Sequence, residues 1–332
     1  MIGIFALIVA ALVALAGRLD LKSSPLVRSL IVAIRLPRHR AALASMCPSC
    51  KAASQDATAA IPIHMTEWGT AGPTVLLIHG GVQGGLGGGP ATFREQKVLA
   101  EKGWRLHVPD RPGFGESPTR GPDDMEADSI WVATALGDGA HLVGHSFGGA
   151  VALLAAARRP SAVRSLILIE PALVPLLPGS KVMRRSKLVR EDLLSMGEAS
   201  LKTRTPAEYA LVLARDLGVV SRTSDGAVKA GEEPDAQTAN ALGCALLQAR
   251  TASADRMRKA AKVVSDAGVP VLIITGGWKP MFEAIGEIGA ELTGGRHVVV
   301  PAPNHFVQLV TPDAFNETIA AFMKAADATL LK

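Results

Sequence analysis

His141-Leu-Val-Gly-His-Ser146-Phe-Gly-Gly-Ala-Val-Ala-Leu-Leu154 changes character halfway along. Its first residues form a short apolar run suited to a buried strand, and from Gly148 the Ala/Leu composition suits a buried helix. Between them lies Gly144-x-Ser146-x-Gly148. A strand-to-helix bend this tight lifts the Ser146 hydroxyl above the sheet and tolerates only small neighbours at 144 and 148. The helix that follows aims its first amides at the same spot and favours negative charge there. Such a bend suits a nucleophile. The bland alternative is a serine in a glycine-rich turn that serves packing alone.

Outward from this bend, β-rich runs over 75–79, 105–110, 141–145, 165–170, 271–276 and 297–301 alternate with helical stretches over 91–102, 124–136, 147–158, 281–292 and 312–324. Near-continuous apolar strands such as VLLI, LILI and VLII belong in a parallel sheet covered on both faces. The expectation is a doubly wound, mostly parallel α/β sheet. Residues 171–268 break the alternation, are helical in composition and read as an inserted helical cap. The core is then 61–170 together with 269–332.

Two further motifs supply what acyl chemistry at Ser146 needs. His79-Gly80-Gly81 follows the first core strand, where a glycine loop can present amides to an oxyanion. The expected donors are the N–H of Phe147 and that of Gly81 or Val82. A phosphate-cradling loop is the rival, but neither GxxxxGK[ST] nor GxGxxG occurs. Asn304-His305-Phe306 follows the last strand, so His305 arrives on the same sheet edge as Ser146 and can act as its general base. The other seven histidines fall in the loop motifs, within or at the start of strands, or ahead of the core.

His79-Gly80-Gly81, Arg111-Pro-Gly-Phe-Gly-Glu-Ser117, Gly144-His-Ser-Phe-Gly-Gly149 and Asn304-His305-Phe306, in this order, resemble the α/β-hydrolase superfamily over roughly residues 61–330. The RPGFGES turn is most similar to the branch of non-haem haloperoxidases, epoxide hydrolases and ester or lactone hydrolases. The resemblance implies a core of about eight strands, a cap over the site and a serine nucleophile. Ser146 argues against the aspartate-nucleophile chemistries of epoxide hydrolases and haloalkane dehalogenases. The triad acid departs from the pattern. The turn Gly276-Gly-Trp-Lys-Pro280 has Lys279 where family members usually carry Asp. Glu170, closing the run LILIE, is the preferred substitute, since a carboxylate there is expensive to bury without a partner. Glu283, on the next helix, is the runner-up. Asp110 and Arg111 are assigned to holding the PGFGES turn. Met183 and Met196 either line an apolar pocket or pack in the core.

The expected activity is therefore hydrolysis of a carboxylic ester, thioester or lactone of a small apolar molecule, with no cofactor and no metal. Acyl transfer, cofactor-free perhydrolysis and a non-catalytic ligand-binding role are the alternatives. With 332 residues, 48% hydrophobic and 20% charged, the chain is neither disordered nor a small disulfide scaffold. Its net charge of +5 is lodged in residues 1–52, which hold seven Lys/Arg against Asp20 alone. The remaining body is near neutral, so a nucleic-acid partner is not expected. Residues 1–24 contain an uncharged apolar run at 2–16, read as a membrane anchor with the body in the cytoplasm, or as a signal peptide cleaved on secretion. Residues 25–60 are a basic amphipathic stretch and linker, the helix of 25–37 suiting an anionic lipid surface. Cys47 and Cys50 form a CxxC in that linker, read as an incidental, oxidisable pair. The oligomeric state is left open.

Overall fold

A computed structural model describes residues 24–48, 61–84, 87–219 and 234–330. The apolar run at 2–16 and the linker with Cys50 lie outside the described residues.

Among the described residues seven strands form one sheet: β1 (Met65–Trp68), β2 (Thr74–Ile78), β3 (Arg105–Pro109), β4 (Ala140–His145), β5 (Val163–Ile169), β6 (Val271–Thr275) and β7 (Arg296–Val299). Their spatial order is β1-β3-β2-β4-β5-β6-β7, parallel throughout except for β1, which pairs antiparallel with β3. The sheet is therefore doubly wound, with seven strands where about eight were expected. The four-residue β1 is the one strand that the sequence does not announce.

Side chains along a strand point alternately to opposite faces, and the apolar runs divide accordingly. Leu76, Ile78, Leu142, Leu166, Leu168 and Ile273 enter one core cluster, whereas Val75, Leu77, Val143, Ile167, Ile169 and Ile274 enter the other. Each such side chain, fully buried, contributes roughly 1.5–3 kcal/mol. This two-sided demand is why the strands read as unbroken apolar runs.

The longer helices are α1 (Pro25–Ala44), α2 (Met125–Ala135), α3 (Phe147–Arg158), α4 (Lys187–Leu201), α5 (Pro206–Asp216), α6 (Ala236–Gln248), α7 (Ala254–Asp266), α8 (Pro280–Thr293) and α9 (Pro312–Leu330). The stretch 91–102 forms not one helix but two short turns, Gly89–Thr92 and Val98–Glu101, flanking a 3-10 turn, because Phe93 leaves helical geometry to bury completely. α7, inside the stretch read as cap, packs instead on α3 and α8 in the helical layer of the core.

α1 runs past Pro37, beyond the expected 25–37. It lies along α4, where Arg28 pairs with Glu198 at 2.7 Å and Gly197 leaves room for Val32. Leu30, Arg35 and Arg38 stay exposed. Cys47, just beyond α1, is disulfide-bonded to Cys244 of α6, not paired with Cys50. The expectation of an incidental CxxC pair is corrected: partners 197 residues apart meet because α1 and α6 are packed together. Among the described residues no helix is long and apolar enough to cross a membrane.

Candidate active site

The chain moves outward from β2 to β3 on one side and from β4 to β5 on the other, so the winding reverses between β2 and β4. Crevices for ligands open beyond the carboxyl ends of strands at such a point. His79 to Gly81 follow β2 there, Ser146 follows β4, Glu170 follows β5 and the 276–280 turn follows β6.

Ser146 has φ 54° and ψ −118°, one of two non-glycine residues with positive φ among those described. Holding an L-residue there costs about 1–3 kcal/mol, and backbone bonds keep it in place. Its N–H donates to Ile169 O at 2.9 Å, and its carbonyl accepts from Gly149 and Ala172 at 2.9 Å. A Cβ on Gly144 would lie 2.4 Å from Gly148 O, and one on Gly148 2.3 Å from Ile78 O. The bend therefore requires both glycines. Ser146 occupies the N-cap position of α3 without spending its side chain on a capping bond.

Glu170 is the second such residue, with φ 41°, and is fully buried. Its Oε2 lies 3.0 Å from His305 Nδ1. Its Oε1 accepts from the Gly276 amide at 2.8 Å and from Trp278 Nε1 at 3.2 Å. Burial raises the Glu170 carboxyl, partly opposed by those two donors, and lowers the His305 imidazole. With Nδ1–H directed to the carboxylate, the neutral ring leaves Nε2 as the basic atom. That nitrogen is buried and has no hydrogen-bond partner among the described residues. The ring stacks on Phe282 at 4.7 Å and touches the His145 ring at 4.8 Å. His145, the residue before Ser146, donates from Nε2 to the His305 carbonyl at 2.9 Å. Serine bend and late histidine thus meet on one sheet edge.

The other acid candidate turns elsewhere. Glu283 accepts from the Gly277 amide at 2.8 Å and faces His297 at 3.6 Å. Lys279 is buried between Asp192 and Asp216, at 2.8 and 2.9 Å. Burial works against its charge, but bonds to the two carboxylates hold its pKa above the usual lysine value.

The His79–Gly81 loop, expected to present the oxyanion donors, is organised by Arg111, whose reach exceeds the turn it was assigned to. Its side chain is fully buried, bonded to Asp128 at 2.9 Å and Asp123 at 2.6 Å. Its Nη1 donates to Gly81 O at 3.1 Å and more weakly to Gly80 O at 3.4 Å. In a planar trans peptide the N–H points opposite to the preceding C=O. Holding these carbonyls on Arg111 therefore directs the Gly81 and Val82 amides away from it. The guanidinium also lies 4.3 Å over the Phe147 ring, so the residues of both expected donor sites rest on one cation. A Cβ on Gly80 would fall 2.7 Å from Ser146 Cβ. Asp110 does tie the PGFGES turn, accepting from Gly89 and Glu116. Met183 and Met196 pack against the main core cluster.

Trp278 and the Arg111 contacts to the loop escaped the sequence reading. The only signal for Trp278 was its place beside the aberrant Lys279. Among the described residues no cluster of His, Cys, Asp or Glu is suited to holding a metal ion.

Residues 73–312 match the family model described as the alpha/beta hydrolase fold. The chain belongs to that family. The lipase LipV of Mycobacterium tuberculosis is 37% identical over 154 residues, covering 44% of this chain and 56% of the lipase. A pimeloyl-[acyl-carrier protein] methyl ester esterase of Neisseria meningitidis is 38% identical over 94 residues, 28% of each chain. The match thus spans about half of that lipase and less of the esterase. Among solved structures, a membrane phospholipase A described as a bacterial virulence factor superposes with a TM-score of 0.53 at 23% identity, covering 97% of this α/β-hydrolase chain and 98% of its own. That likeness is one of fold.

Proposed function

We propose that this α/β hydrolase is a serine esterase, cleaving a carboxylic ester, thioester or lactone of an apolar molecule through an acyl-enzyme. Ser146 attacks the carbonyl, and His305 Nε2 takes its proton and returns it to the leaving group. Glu170 orients the imidazole and stabilises its cation. The amides of Gly81 and Phe147 bind the oxyanion, and water then frees the acyl group. The observation that carries this reading is the 3.0 Å bond from His305 Nδ1 to Glu170, beside a serine in a left-handed backbone conformation. The binding-module alternative rested on an acid lost at position 279, and the His305–Glu170 bond supports Glu170 as its substitute. The names of the lipase and methyl ester esterase relatives agree with an ester substrate.

The apolar run at 2–16 and the exposed basic residues of α1 support attachment to a membrane surface. The Cys47–Cys244 disulfide favours a compartment that keeps thiols oxidised. It therefore supports the exported placement over the cytoplasmic one.

A fluorophosphonate probe tests the reaction. Covalent labelling of the folded protein that is lost in Ser146→Ala is the expected result. A folded wild type that takes up no label overturns the proposal.

A further inference from the structure

Lys279 stands where the family resemblance places an acid, yet its environment is built for a cation. Asp192 reaches it from α4 and Asp216 from the end of α5, both outside the sheet core. The Asp192 carboxylate also accepts from the Met281 amide at 3.0 Å, so it is fixed to the start of α8. Asp216 is followed by Leu217, whose carbonyl accepts the His305 N–H at 3.3 Å. Next comes Gly218 with φ 64°, packed so closely that a Cβ there would lie 2.9 Å from Asn304 Cβ. Segment 216–218 is thus bonded to Lys279 at one end and to the histidine loop at the other.

The lysine side of the contact leads to the same pair. Trp278, the residue before Lys279, donates to both oxygens of Glu170, at 3.2 and 3.3 Å. Its ring lies 5.7 Å from Phe282, which stacks on His305. Cap and turn therefore grip the Glu170–His305 pair from two sides, and the ion cluster joins those grips. Two carboxylates around one buried ammonium resist being pulled apart, because separation leaves a charge uncompensated.

We propose that Lys279 is a positioning residue, an ionic latch that seats segment 216–218 of the cap on the His305 loop and holds the imidazole in register with Ser146. The cation supplants the usual acid because Glu170 takes that duty from the neighbouring strand, leaving the turn free to bind the cap. This inference rests on the serine-esterase reading given above.

The test uses the full chain, a nitrophenyl acetate assay and the rate of fluorophosphonate labelling. The key variant is Asp216→Ala, which keeps Lys279 charge-balanced by Asp192 and cuts the link to Leu217. Displacing a catalytic group by about 1 Å costs on the order of 100-fold, so losing part of the latch is expected to lower kcat and labelling rate by about 10-fold or more. KM and Tm should change little. Lys279→Met should do the same or worse, and Lys279→Arg should recover most of the rate. A rise in KM at unchanged kcat and labelling rate would mean that the cap serves substrate binding alone, and would overturn the latch. Losses that simply track a fall in Tm would overturn it too. Wild type that is never labelled defeats the esterase reading itself, whereas normal labelling of Asp216→Ala defeats only the latch.

Discussion

Glu170 Oε2 and His305 Nδ1 lie 3.0 Å apart although 135 positions of sequence separate them. Glu283, the rival carboxylate, spends itself on the Gly277 amide. On the proposed reading, Glu170→Gln keeps the shape but removes the charge that selects the imidazole tautomer and stabilises its cation. The analogous change in a serine protease triad costs about 10⁴-fold in kcat. A loss of about 10³-fold or more is expected in an ester assay, against less than about threefold for Glu283→Gln. The reverse ranking would move the acid to Glu283.

Gly80 offers a separate probe of the proposed oxyanion loop. Any Cβ there would press on Ser146 Cβ at 2.7 Å and on His145 O at 2.8 Å. Neither contact belongs to the end of a flexible side chain, so the loop must shift. Gly80→Ala is expected to lower kcat by about 10²–10³-fold, the size of effect seen when one oxyanion donor is lost. Circular dichroism should report an intact fold. Undiminished turnover in Gly80→Ala would remove this loop from the reaction.

How far the sequence could be read follows from how local each signal was. The sheet was legible because apolar strands such as Leu166–Ile169 are buried on both faces, leaving unbroken runs. Ser146, Glu170 and His305 were legible as positions because each immediately follows, or lies shortly after, such a run. β1 was not, since Met65–Trp68 is a four-residue edge strand with Glu67 exposed and no fully buried side chain. The role of Arg111 was hidden because its partners lie at 80, 81, 123 and 128, joined only by folding. Cys47 misled for the same reason: Cys50 is near in sequence, while the partner in space is Cys244.

Acid should destabilise the fold. Desolvation lowers His79 and His145 to about 3, with the Arg111 charge adding to the effect on His79. An unfolded histidine titrates near 6.5. Between those values the unfolded chain binds protons that the native state refuses, so stability drops as pH falls from about 6.5 toward 3. The His305–Glu170 pair pulls in opposing senses, because burial lowers the imidazole and raises the carboxyl. Two histidines give a loss on the order of 2–3 kcal/mol per pH unit. Thermal melts should show Tm nearly level above pH 7 and falling steeply from 6 to 4. His79→Gln should flatten that fall in part, since burial lowers His141 as well. A profile level down to pH 4 would mean that these rings are charged or exposed.

The Cys47–Cys244 bond ties α1 to α6, and α6 carries Ala241, which lies beside Gly84 in the loop that follows β2. It closes a loop of nearly two hundred residues that contains strands β1 to β5, so its main effect is to restrict the unfolded chain. Bonds closing long loops typically contribute about 2–4 kcal/mol. Denaturing the unreduced protein with an alkylating reagent should place a single label, on Cys50, and a tryptic map should contain one peptide pair joined through 47 and 244. Mild reduction of the native protein should lower Tm by several degrees, as should Cys244→Ala. A map showing 47 joined to 50 would return the motif to its local reading and would release α6 from the N-terminal helix. A protein fully reduced when isolated from its own cells under thiol-trapping conditions would instead argue for a reducing compartment, and against the exported placement.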